Sequence, residues 1–131
     1  MRKILFVVML LSIFVAACQA DGPSTQLTIE LKDFSIAPNA LTVPAGSEIQ
    51  IKVANHGSMV HNFYILKYGA DVGDMFDEED IASAYWEVEV QPDDTLTSTL
   101  TTPDQPGTYQ IVCGIPGHLQ SGMVGTLEVV E

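Results

Sequence analysis

The chain has 131 residues, with 17 acidic against 5 basic side chains and a formal charge of −12 when His is neutral. That length suits one domain, and that charge argues against nucleic acid as a partner, because phosphates are bound through Lys and Arg. Apolar residues make up 47%, too many for a disordered chain, and the size leaves no room for a two-half dinucleotide-binding fold.

Arg2 and Lys3 precede an apolar run from Ile4 to Ala17, broken only by Ser12. The run is too short to cross a bilayer and the right length for the core of a signal peptide, so residues 1–17 are expected to be removed. It ends in Val15-Ala16-Ala17-Cys18. Small residues directly before a Cys resemble the bacterial lipobox, whose Cys becomes the lipidated first residue of the mature chain. Cys18 is therefore expected to anchor the protein to the extracytoplasmic face of a membrane, each buried methylene of its acyl chains contributing about 0.8 kcal/mol. The alternative is an ordinary secretory signal with a chance Cys. Residues 18–25 read as a flexible tether, and residues 26–131 as the folded domain.

Within that domain, Leu27, Ile29 and Leu31 alternate with polar residues. Leu41 and Val43 make a short piece before Pro44, and Ile49, Ile51 and Val53 repeat the alternation after the turn Pro44-Ala45-Gly46-Ser47. Phe63 to Leu66 is continuously apolar and reads as a central strand. Trp86, Val88 and Val90 alternate with Glu87 and Glu89; Leu96, Ser98 and Leu100 alternate with Thr. Tyr109 and Ile111 lead to Cys113, and Val124 to Val130 closes the chain. About eight short strands with almost no helical periodicity predict an all-β sandwich or barrel. The exception is residues 67–84, where six acidic residues between Asp71 and Asp80 surround Met75 and Phe76. That stretch reads as a long loop with one helical turn near 75–84.

With Cys18 lipidated, Cys113 has no disulfide partner in an oxidising compartment. It is then a small buried hydrophobe, a reactive thiol or a metal ligand. Its neighbours favour the last. Cys113, His118 and Met123 recur at separations of five within a loop of Gly and Pro, and His61 stands at the entrance to the central strand. Each alone has a bland explanation: a buried Cys, a solvated His, a core Met. Together they form the ligand set of a blue-copper electron-transfer site, with two imidazoles, a thiolate and a weak axial thioether. His56 is the rival upstream imidazole, but it lies in the turn-like Asn55-His56-Gly57-Ser58 and reads as solvated.

These motifs resemble the cupredoxins: Ala45-Gly46 before a strand, His61-Asn62-Phe63, then Cys113, His118 and Met123 followed by Gly125-Thr126-Leu127. Plastocyanin has a shorter Cys-to-His loop and azurin a shorter His-to-Met loop; the spacing here looks most like auracyanin. The resemblance implies a Greek-key β-sandwich with one copper ion, Cu(I)/Cu(II), at one end, ligated by His61, Cys113, His118 and Met123. It also implies that the backbone N–H groups of Asn62 and Ile115 temper the thiolate, and that the Asn62 side chain ties the His61 strand to the Cys113 loop. His118 is expected to show a ring edge to solvent among Pro38, Met59, Ile115, Pro116 and Leu119.

The leading function is thus a membrane-anchored, monomeric one-electron carrier that exchanges electrons with redox proteins. The acidic stretch 71–80 is either a surface that steers a basic cytochrome or a solubilising one. The alternative function is a periplasmic copper chaperone or storage protein using the same ligands. An enzyme is not expected: Val112 and Gly114 flank Cys113, so no His beside it links to a second copper centre.

Overall fold

The alternation read along the chain becomes the inside and outside of two packed sheets. The computed structural model describes residues 22–131; the expected signal segment and Cys18 lie outside the described residues. Nine strands occur among them: β1 (Gln26–Lys32), β2 (Ser35–Ala37), β3 (Ala40–Pro44), β4 (Glu48–Asn55), β5 (His61–Leu66), β6 (Ala84–Val90), β7 (Thr95–Thr101), β8 (Gly107–Val112) and β9 (Val124–Val130). One sheet has the order β2-β1-β4-β7, the other β3-β9-β8-β5-β6. β1 runs parallel to β4 and β3 parallel to β9, and the remaining pairs are antiparallel. No helix among the described residues is long and apolar enough to cross a membrane.

In β1 and β4 the period-two pattern puts Leu27, Ile29, Leu31, Ile49, Ile51 and Val53 in the core, where they meet Phe63, Ile65, Ile111 and Leu127 from the other sheet. Tyr109 is buried with them, and its hydroxyl donates to the Gln105 carbonyl at 2.6 Å. That bond satisfies the one polar atom of a large core ring. β7 departs from the expected pattern. Only Leu100 turns fully inward, while Leu96 stays about one-third exposed, because β7 is an edge strand paired on one side only.

β5 is apolar on both faces for a structural reason. Phe63 and Ile65 enter the sandwich core. Tyr64 and Leu66 point the other way, into a second cluster with Val72, Val112 and Leu119 that Ala70, Phe76 and Ala84 help to cover. The segment between β5 and β6 folds back over the outer face of its own sheet. It is pinned there by the Lys67 N–H on the Ser83 carbonyl at 2.8 Å, the Lys67 ammonium on the Ala82 carbonyl at 2.7 Å and the Val72 N–H on Gln110 Oε1 at 3.1 Å. Its single turn of 3₁₀ helix is Asp80–Ser83. Several of its carboxylates cap their own backbone: Asp71 accepts the Gly73 N–H, Asp77 that of Glu79, and Asp80 that of Asp77.

Candidate metal centre

Two adjacent strands bring the donors together. β5 begins at His61, and β8 ends at Val112, so Cys113 is the first residue beyond it. The register pairs Tyr64 with Val112, and its continuation sets Asn62 beside Gly114. There Asn62 Oδ1 accepts the Gly114 N–H at 3.1 Å and lies 3.8 Å from Cys113 Sγ, so this side chain joins the two strand ends.

The other two donors come from the turn between β8 and β9, which closes on itself. The Cys113 N–H donates to the Met123 carbonyl at 3.1 Å, and the Met123 N–H to the His118 carbonyl at 3.0 Å. Inside this ring the His118 N–H bonds the Ile115 carbonyl and the Gly122 N–H the Leu119 carbonyl, both at 3.0 Å. Gly122 has φ of 105°, a conformation that a side chain would strain. Backbone bonds therefore fix Cys113, His118 and Met123 relative to one another before any ligand is considered.

His61, Cys113 and Met123 are fully buried, and His118 exposes only 4% of its surface. The Nδ1 atoms of His61 and His118 face each other at 3.1 Å. Cys113 Sγ lies 3.5 Å from His118 Nδ1 and 3.9 Å from His61 Nδ1. Burial pushes the Cys113 thiol up from its ordinary pKa, while the backbone N–H groups of Ile115 and Asn62, aimed at the sulfur, pull it down. The His118 imidazole is lowered by burial first and by neighbouring His61 second, with Asp33 opposing. A protonated thiol beside an imidazole held neutral requires that metal entry release the Cys113 proton.

Around the donors the structure departs from the expected surroundings in particular places. Pro38, Met59 and Pro116 are exposed and Ile115 is half-buried, but Leu119 turns inward to the cluster under the β5–β6 segment. His118 is packed edge-on by Phe34, with ring centroids 5.4 Å apart. Phe34 is itself about half exposed and has φ of 67°, an uncommon backbone for a bulky residue; nothing in its sequence context signals either fact. His56 is exposed and stands outside the cluster.

The loop before β5 is organised by a buried amide with no local signature in the sequence. Asn55 is inaccessible to solvent; its Nδ2 donates to the Met59 and Val90 carbonyls at 2.8 and 2.9 Å, and its Oδ1 accepts the Gly57 N–H at 2.8 Å. Below it, Asp33 receives the Ser58 hydroxyl at 2.6 Å and the Ser58 N–H at 3.0 Å, bonds that hold its carboxyl below the ordinary carboxylate range. His61 Nε2 lies 3.3 Å from Asp33 Oδ1.

The family description "Cupredoxin-like domain" matches residues 3–127. The chain belongs to the cupredoxins. A solved auracyanin from the photosynthetic bacterium Roseiflexus castenholzii, reduced with dithionite, is similar at 29% identity with a TM-score of 0.74, covering 84% of this chain and 100% of that one. Auracyanin A from Chloroflexus aurantiacus, described as a "blue" copper protein, is similar at 24% identity with a TM-score of 0.62 over 80% of this chain and 99% of that one, a likeness of fold. Auracyanin-B of Chloroflexus aurantiacus is 27% identical over 111 residues, 72% of this chain; the chain spans 47% of that relative's length. The cofactor of this cupredoxin is one copper ion. The residues suit it: a soft sulfur and two imidazole nitrogens close enough to share one ion, with a thioether fixed in the same loop.

Proposed function

We propose that this cupredoxin is a type 1 copper protein that carries single electrons on the extracytoplasmic side of a bacterial membrane. The observation that carries the reading is the cluster itself: one donor atom each from His61, Cys113 and His118 within 4.8 Å of one another, all three residues buried, with Met123 closing the loop that holds two of them. Copper bound there supplies a one-electron Cu(I)/Cu(II) couple.

The chain's own residues shape that couple. His61 and His118 present Nδ1 from a strand end and a hydrogen-bonded loop, so neither needs to move when charge changes. Cys113 contributes the thiolate, and the N–H groups of Asn62 and Ile115 reduce its basicity. Met123 would supply a weak thioether donor from the same loop. Outside the described residues, Cys18 carries the lipid that keeps the domain at the membrane. The surplus of carboxylates over 71–80, with Glu87 and Glu89 exposed on neighbouring β6, suits a basic redox partner such as a cytochrome, steered by long-range attraction. The reduced auracyanin among the similar structures supports this reading.

The test is the visible and electron-spin-resonance spectrum of the purified protein with one equivalent of Cu(II). An intense charge-transfer band with narrow copper hyperfine splitting, lost on reduction and regained on oxidation, is expected. A pale spectrum with wide splitting, or Cu(II) reduced and retained as Cu(I), would sink the carrier reading in favour of copper trafficking. Met123→Leu is expected to keep the colour and raise the potential, because an electron-donating contact is lost; loss of all copper would refute a weak-donor role.

A further inference from the structure

The Asp33 carboxylate is absorbed neither by the ligand set nor by the sandwich core. It lies in the turn between β1 and β2, 28 positions before His61 in the chain, yet its Oδ1 meets His61 Nε2 at 3.3 Å. The imidazole is wholly buried while the carboxylate is one-third exposed, so the ring separates the donor cluster from a charge that still touches water. Ser58 clamps the same carboxylate with its hydroxyl at 2.6 Å and with its N–H at 3.0 and 3.2 Å to the two oxygens.

A second observation comes from Gly57. A Cβ built there would strike Asp33 Oδ1 and come within 2.8 Å of His61 Nε2. The backbone at Gly57 thus passes directly against the contact, and only a residue without a side chain leaves the carboxylate and the ring free to meet.

We propose that Asp33 is the positioning residue of the His61 ligand, fixing its tautomer and lowering the reduction potential of the copper centre through its charge. An ionised carboxylate only accepts hydrogen bonds. His61 Nε2 must therefore carry the ring proton, leaving the Nδ1 lone pair directed at His118 and Cys113. Such an outer carboxylate also makes the imidazole a stronger donor. Cu(II) carries one more positive charge than Cu(I), so a negative charge one ring away favours the oxidised state. The inference rests on the copper reading above.

The experiment compares wild type, Asp33→Asn and Gly57→Ala, each as the copper-loaded protein. It measures the reduction potential and the visible spectrum, and then the ring nitrogen chemical shifts of His61 in the copper-free protein. Asp33→Asn keeps an acceptor oxygen and removes the charge. It should keep the colour and the Nε2–H tautomer while Cu(II) affinity falls about tenfold relative to Cu(I), which at 59 mV per decade is a rise of about 59 mV. Gly57→Ala leaves both residues in place but wedges them apart, so it should raise the potential too and leave His61 a mixture of tautomers. A coloured Asp33→Asn protein whose potential equals wild type would overturn the proposal alone. Should that variant fail to fold, Gly57→Ala decides: an unchanged potential and a single unchanged tautomer would overturn it. Absence of charge-transfer colour in the wild type would overturn the copper reading and this inference together.

Discussion

Cys113→Ser is expected to abolish the visible charge-transfer band and weaken Cu(II) binding by more than about 100-fold, beyond what loss of an outer-shell contact costs. The argument is local. Cys113 is the one soft anionic donor among the described residues of the cluster, and a hydroxyl in its place neither ionises at neutral pH nor gives sulfur-to-copper charge transfer. The fold should survive: Ser is close to isosteric with Cys, and the Asn62 Oδ1 bond to the Gly114 N–H that joins the two strand ends is untouched. Absorption titration with Cu(II) beside a thermal melt of the copper-free variant checks both halves. An unchanged visible spectrum would remove Cys113 from the site.

Asn55→Ala should have the largest effect on stability, a loss of about 3 kcal/mol or more. Three hydrogen bonds converge on this one buried side chain. Truncation strands the buried Val90 carbonyl, at a cost of about 1–3 kcal/mol, and takes the partner from the part-buried Met59 carbonyl and Gly57 N–H, each hydrogen bond worth about 1 kcal/mol. For a domain of this size the melting midpoint should fall by about 10 °C or more. The loop it braces carries Gly57, Ser58 and the approach to His61, so copper affinity should fall with stability. Chemical denaturation of the copper-free protein separates the two effects; a loss below about 1 kcal/mol would show that the three backbone groups find other partners.

The sheets were legible wherever one face of a strand is wet, as in β1, β4 and β9, because burial then writes a period of two into the chain. β2 left no such trace: three residues with one buried side chain, Ile36, carry too little pattern. β5 announced itself as apolar from Phe63 to Leu66, but not why; the cover on its outer face comes from residues 67–83, which read as acidic loop because their surface residues outnumber Val72 and Phe76. The donors Cys113, His118 and Met123 were readable because one loop holds them at fixed spacing. Asp33, Phe34 and Asn55 were not. They reach the site through the meeting of the β1–β2 turn with the β4–β5 loop, and a contact spanning 28 positions leaves no local signature.

The closed loop from Cys113 to Met123 also bears on how copper and folding are linked. Three of the four donors lie within eleven consecutive residues, so they remain neighbours when the sheets come apart. Only His61 is brought to them by the fold. An unfolded chain therefore retains much of its power to chelate the ion, and a ligand that binds the unfolded state stabilises the native one by less than its native affinity alone predicts. Copper should accordingly raise the melting temperature less than its tight binding suggests, and a chain that captures the ion early still has a route to the native state around it.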